Sequence, residues 1–240
     1  MQQDPNDELL KLTFYATPAH SCSYLPDKQA TTVFLDPEKQ ISKKLYTRLS
    51  ESGFRRSGSH IYRPHCEQCQ ACVPVRIPVA QFNPNRSQKR CLKKGAHFSA
   101  EMSAAEFSPE HYQLYERYLS ARHHDGDMYP PSEQQYRDFL FSDWSNTEFL
   151  NIYDGQKLIT CSVVDRLSNG FSAVYTYYDP DYAKFSLGRL AILQLIEQAK
   201  SAAMEYLYLG YLVKDCRKMK YKSEYRPLDC LVGNRWVRLN

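Results

Sequence analysis

The chain has 240 residues, 42% of them hydrophobic, which suits one large domain or two smaller ones sharing an interface. Its formal net charge of +4 is too small by itself to establish a nucleic-acid partner. The polar, acidic start MQQDPNDELLKL has no signal-peptide core, and no run approaches the roughly 18 apolar residues of a membrane span. A soluble, cytoplasmic protein is therefore expected, with its eight cysteines mainly as thiols.

Residues 1–30 read as extended or irregular, with Pro18 and Pro26 set against a long helix. Asp36-Pro37 opens an amphipathic helix that carries Ile41, Leu45 and Leu49 and ends at Gly53. A strand is expected over 60–63, then a cysteine-rich turn. The alternating strand 73–79 follows, and Pro78 confines it to an edge or a strand end. Residues 83–94 are basic. A composition shift near 98–108 separates a smaller cysteine-containing α+β domain, 1–100, from a second domain, 101–240. There Ser108 caps a helix with Pro109 in its first turn, and Ser132 opens another. Strands 147–153, 157–165 and 171–178 are punctuated by Asp154-Gly155 and Asn169-Gly170, both strong hairpin signals. Ser186-Leu187-Gly188 leads a long helix to Ala203, and a strand over 206–212 follows. Antiparallel strands, a helix opening at a small-residue turn, and one more strand is the order of a Gcn5-related acyltransferase core. The fold class expected is α+β, with that core in the C-terminal domain.

Charge is unevenly spread. Residues 1–100 hold 15 Lys/Arg against 8 Asp/Glu, while 101–240 hold 16 against 19. A second basic strip lies at 214–226: Lys214, Arg217, Lys218, Lys220, Lys222 and Arg226, interleaved with Tyr221 and Tyr225 and preceded by Tyr211. Cations neutralise phosphates and aromatic rings stack on unpaired bases, so the strip suits a flexible nucleic-acid end. The plainer alternative is a solvated basic hairpin. The 19 tyrosines point to wet interfaces and clefts.

Several blocks, taken in order and spacing, resemble the arginyl-tRNA–protein transferase family, and most closely its short bacterial branch. They are Gly53-Phe54-Arg55-Arg56-Ser57-Gly58, Tyr62-Arg63-Pro64, Phe82-Asn83-Pro84 with Ser87-Gln88-Lys89-Arg90, Tyr115-Glu116-Arg117-Tyr118 and Tyr177-Tyr178-Asp179-Pro180. Ser186-Leu187-Gly188, Tyr208-Leu209-Gly210-Tyr211, Met219-Lys220-Tyr221-Lys222 and Tyr225-Arg226-Pro227 complete the set, which spans about 50–230. The resemblance implies transfer of leucine from leucyl-tRNA to the α-amine of proteins beginning with Asp or Glu, a mark for degradation. Arginine as the donated residue stays open.

An aminoacyl ester is already activated, so the reaction needs no cofactor. The attacking α-amine has a pKa of about 7.7–8.0, and positioning with oxyanion donors can carry the rate. The candidate catalytic residues are Tyr178, Asp179, Ser186 and Tyr211. The turn at Leu187-Gly188 is a candidate cradle for the tRNA end, with Lys89, Arg90, Lys93, Lys218, Lys220, Tyr221 and Lys222 as further tRNA contacts. Recognition of an N-terminal Asp or Glu calls for a cation able to grip a carboxylate. Arg76, Arg56 and Arg226 lead that set, with Arg55 and Arg63 also considered.

Cys66, Cys69 and Cys72 form C-x₂-C-x₂-C, and folding can bring in Cys22 as a fourth thiolate for zinc or an iron–sulfur cluster. Eukaryotic relatives carry a motif resembling C-G-Y-C, where this chain reads Cys22-Ser23-Tyr24-Leu25. His20 and His65 are neighbouring alternatives as ligands, and reduced thiols without metal are the plain one. His123-His124-Asp125-Gly126-Asp127 reads as a polar loop. Two rival functions, a small-molecule N-acetyltransferase and a non-catalytic RNA-binding module, predict no transfer from aminoacyl-tRNA.

Overall fold

The computed structural model describes residues 9–124, 126 and 128–240. Among them the strands form three sheets. The small ones lie in the first 64 residues. β1 (Phe14–Ala16), β4 (Thr32–Leu35), β6 (His60–Pro64) and β5 (Arg55–Ser57) make a four-stranded sheet, and β2 (His20–Ser21) pairs with β3 (Gln29–Ala30). Helix α1 (Lys43–Glu51) follows a Ser42 cap rather than Asp36-Pro37, because Ser42 Oγ accepts from the Leu45 N–H and Asp36 instead closes a local turn. Its Leu45, Tyr46 and Leu49 pack with Phe54 and Ile61.

The large sheet has eight strands, in the order β14-β13-β7-β12-β11-β10-β9-β8. These are β7 (Val73–Pro78), β8 (Ser99–Ala104), β9 (Thr147–Asp154), β10 (Lys157–Arg166), β11 (Gly170–Tyr178), β12 (Tyr206–Leu212), β13 (Leu228–Val232) and β14 (Arg235–Leu239). β7 lies between β12 and β13, with its prolines near its ends: Pro78 opposite Tyr206 and Pro74 opposite Tyr211. Hydrogen bonding therefore crosses the boundary expected at 100/101.

Helix α2 (Arg86–Lys94) has Asn85 and Gln88 in a reciprocal capping box. It packs against α5 (Leu187–Ser201), the crossover between the parallel strands β11 and β12. Leu190, Leu193, Leu195 and Ile196 of α5 bury one sheet face with Ile77, Ile152 and Leu207. On the other face lie α3 (Pro109–Arg122), capped by Ser108, and α4 (Glu133–Leu140), capped by Ser132. The tyrosine surplus is largely explained here. Tyr115, Tyr136 and Tyr177 are fully buried in edge-on contacts, and the Tyr136 and Tyr177 hydroxyls meet at 2.9 Å. These tyrosines are core, not the wet surface that their number suggested.

Candidate active site

The parallel pairing of β11 with β12 covers only Gly170–Ser172 against Tyr206–Tyr208. β12 then shifts register at Gly210, whose φ is +79°, and the two strands run on to Tyr178 and Leu212 without pairing to each other, each still held by its outer neighbour. The Ala173 carbonyl, next along β11, accepts instead from Arg55 Nη2 of β5. A Cβ on Gly210 would lie 3.4 Å from Arg55 Nε, an ordinary contact, so the positive φ rather than lack of space calls for glycine beside that guanidinium. The opening between β11 and β12, the two strands that α5 connects, is thus plugged at its root by an arginine.

Around this gap stand Tyr178, Tyr118, Tyr221 and Lys222. Tyr118 and Tyr178 rings are 4.8 Å apart, and burial followed by the nearby Tyr178 phenol pushes the Tyr118 phenol up. Lys222 is 6% exposed and donates from Nζ to the Tyr211 carbonyl at 2.7 Å. Burial, and then the positive charge of Arg55, bring its pKa down to about 7.

The first turn of α5 opens toward the same end. Ser186 is exposed in the left-handed region at φ 55°, and its hydroxyl caps nothing. Leu187 is buried. A Cβ on Gly188 would meet Tyr178 Cε1 at an ordinary 3.5 Å, so packing does not demand glycine there. By contrast, a Cβ on Gly170 would come within 2.2 Å of the Tyr206 carbonyl oxygen.

Other sequence candidates take different places. Asp179 is fully buried and caps the turn after β11. It accepts from Arg117 at 2.9 Å, from Lys157 at 2.8 Å and from the Asp181 N–H at 3.0 Å. Burial alone would raise its carboxyl, but the Lys157 bond, the Asp181 N–H and Arg117 outweigh it and hold it below the usual carboxylate range. It is a tether for the strand end, not a free base. The Tyr211 hydroxyl donates to the Gly53 carbonyl at 2.8 Å, and burial pushes its phenol far up. Its role is to fasten β12 to the small sheet.

Two of the expected carboxylate clamps are already paired. Arg56 makes a two-pronged ion pair with Asp165 at 2.7 and 2.8 Å, fully buried, with Nη1 donating to the Gly58 carbonyl and Nη2 also to that of Leu140. Arg76 stands 3.5 Å from the Tyr206 ring centre and 4.2 Å from that of Trp236, with Asp229 at 3.6 Å. Arg226 is exposed, and Arg63 lies over Phe54 while donating to the Ser52 carbonyl. Lys222, expected on tRNA, is instead inside. The interleaved basic pattern carried no signal that the turn 220–224 rotates one lysine inward.

The two basic stretches join at one place. Gln88 donates to the Glu224 carbonyl, and Arg189 bridges Ser87 Oγ at 2.8 Å and the Glu224 carboxylate at 2.6 Å. Lys89, Arg90, Lys93, Lys218, Lys220 and Tyr221 are all exposed. Arg189 and Glu224 were not expected as the link. A groove of about 680 Å³, lined by Glu116, Arg117, Tyr129, Pro131 and Asp181, runs beside the end of β11.

Cys22, Cys66, Cys69 and Cys72 are free thiols. Burial, then the neighbouring Cys22, Cys66 and Cys69, push the Cys72 thiol up to about 11. Among the described residues no three His, Cys, Asp or Glu side chains stand in metal-holding geometry. Of the loop at 123–127, Asp125 and Asp127 lie outside the described residues. No helix among the described residues is long and apolar enough to cross a membrane.

Two family models cover most of this architecture. One described as arginine-tRNA-protein transferase, C terminus, matches residues 110–232, and its N-terminus counterpart matches 20–90. The chain belongs to the arginine-tRNA-protein transferase family. Proteins named aspartate/glutamate leucyltransferase are similar along nearly their whole length. The one from Teredinibacter turnerae is 54% identical over 97% of this chain and 96% of its own. One from Pseudomonas fluorescens is 52% identical over 97% and 99%. Among solved structures, L-PGS from Bacillus licheniformis matches at 9% identity with a TM-score of 0.46, over 60% of this chain and 48% of that one.

Proposed function

We propose that the protein moves leucine from leucyl-tRNA to the α-amine of proteins beginning with Asp or Glu. The observation that carries this reading is the junction at Glu224. There two basic stretches meet the uncapped start of α5, beside the opened β11–β12 pair. A single-stranded tRNA end laid along Lys93, Lys89, Arg90 and then Lys218 and Lys220 leads its terminal adenosine to Leu187-Gly188. The ester then enters the gap between the strands, as the acyl group does in Gcn5-related acyltransferases, a fold that the crossover helix and the register shift in β12 support.

The chemistry is aminolysis. The acceptor nitrogen attacks the ester carbonyl, the C–N bond forms, the bond to the ribose oxygen breaks, and that oxygen leaves as a hydroxyl. Holding amine and ester together supplies much of the rate, and unsatisfied N–H groups of the α5 first turn suit an oxyanion or phosphate. We also propose Cys22, Cys66, Cys69 and Cys72 as ligands of a thiophilic metal. Their donor chemistry supports this, and elemental analysis of anaerobically purified protein tests it.

Labelled leucine and labelled arginine on their tRNAs, offered with peptides beginning Asp, Glu or Ala, test the main reading. Leucine moving to the acidic peptides alone is the expected result. Arginine moving instead overturns the donor assignment, and no transfer at all overturns the enzyme reading.

A further inference from the structure

Four buried cations and three buried anions stand in the described structure: Arg55, Arg56, Arg76 and Lys222 against Asp165, Asp179 and Asp229. Each anion is taken. Asp165 holds Arg56, Asp179 holds Arg117 and Lys157, and Asp229 holds Arg76 and Arg238. Arg55, 8% exposed, and Lys222, 6% exposed, have no carboxylate partner among the described residues, and they meet the same stretch of β12: Arg55 lies beside Gly210, and Lys222 donates to the carbonyl of Tyr211.

Their remaining bonds leave donors over. Arg55 gives Nη2 to the Ala173 carbonyl. Lys222 gives Nζ to the Tyr211 carbonyl and to Met219 Sδ at 3.4 Å. The other titratable groups acting on Lys222 are the thiols of Cys72 and Cys216, and burial with its cysteine neighbours holds Cys72 in the neutral form. Burying one unpaired cation is costly, and burying two side by side is more so. Burial first, and then the positive charge of Arg55, bring Lys222 down to about 7. Such a pair persists where function supplies the missing anion.

We propose that Arg55 and Lys222 form the site that grips the side-chain carboxylate of the acceptor's N-terminal Asp or Glu. This rests on the transferase reading given above. A carboxylate oxygen on each cation completes both, with Gly210 lying beside the guanidinium. The site lies at the root of the strand gap, so a gripped side chain leaves the α-amine next to the ester. The Arg76, Arg56 and Arg226 assignments are replaced by this pair.

The test is peptide binding to the full chain without tRNA, by calorimetry, using peptides that begin with Asp, Glu, Asn or Gln. Wild-type protein is expected to bind the acidic peptides at least about 30-fold more tightly than their amide counterparts, the low end of what losing one partner of a buried charge pair costs. Lys222→Met and Arg55→Gln are expected to lose that preference while leucyl-tRNA binding stays within twofold. Lys222→Met removes a buried charge for a side chain of similar size, so its peptide-free melting temperature is expected to rise. Acidic peptide should then no longer raise it further. Retained preference for Asp over Asn in Lys222→Met overturns the proposal, as does a wild type with no preference. Loss of tRNA affinity in place of peptide preference also overturns it and assigns the pair to a phosphate. These binding measurements need no aminoacyl transfer, so they decide the site even if the leucine assay fails.

Discussion

Arg55 and Arg56 are adjacent in β5, so strand geometry sends their side chains to opposite faces. On one face Arg56 meets Asp165, which also accepts from the Tyr46 hydroxyl and Thr147 Oγ1. Every group there is answered from within the chain. On the other face Arg55 meets a backbone carbonyl, a glycine and a second cation. Equal burial thus has two meanings. A buried charge whose partners are internal holds the small sheet on β10. A buried charge lacking them marks a place where something from outside is received.

The largest expected effect breaks the first face. Asp165→Asn strips the counter-charge from Arg56, and should cost about 3–5 kcal/mol of stability in urea denaturation. The second face should respond to pH in the same sense as a carboxylate of lowered pKa, but in a window several pH units higher. Folded Lys222 releases its proton near 7, while an unfolded lysine keeps it to about 10.5. Above 7 the unfolded chain therefore binds more protons, and stability rises with pH by up to about 1.4 kcal/mol per unit. The window to measure is 7 to 8.5, below the range where Cys72 opposes it. Lys222→Met should flatten the curve by that amount; parallel curves for the two proteins would show that Lys222 is already compensated.

Asp179 provides a smaller contrast of the internally paired kind. Asp179→Asn should cost about 1–3 kcal/mol at neutral pH, and the difference from wild type should vanish as pH falls through the lowered pKa of the carboxyl. The smallest structural effect belongs to Gly188→Ala. Space beside Tyr178 is sufficient, so stability should hold or rise by up to about 1 kcal/mol, while leucine transfer falls if the turn receives the tRNA end. Unchanged transfer would remove Gly188 from the site.

The contrast between the two faces also bears on what sequence patterns carry. Elements with local signals were legible: the Ser108 and Ser132 caps, the strands flanking Asp154-Gly155 and Asn169-Gly170, and the strand at Tyr206–Leu212. The last hairpin was missed although Gly233-Asn234 sits between two apolar stretches, and both residues have positive φ as its tight turn requires. The helix start at Ser186-Leu187-Gly188 was legible because a helix start has a sequence signature. The pairing of Arg56 with Asp165, and of Arg76 with Asp229, joins residues far apart in the chain, so no local pattern reports it. Lys222 was misread for the same reason: an exposed and a buried lysine look alike until the surrounding chain is placed.

The position of β7 has a consequence for how the molecule is made. Arg76 lies opposite Tyr208 on one side and Asp229 on the other. During synthesis this strand emerges early and waits, both edges bare, for partners translated more than a hundred residues later. Such edges invite pairing with other chains, and long-range closure is slow. Ribosomes that stall before β13 should therefore leave a sticky intermediate, open to chaperone capture or aggregation.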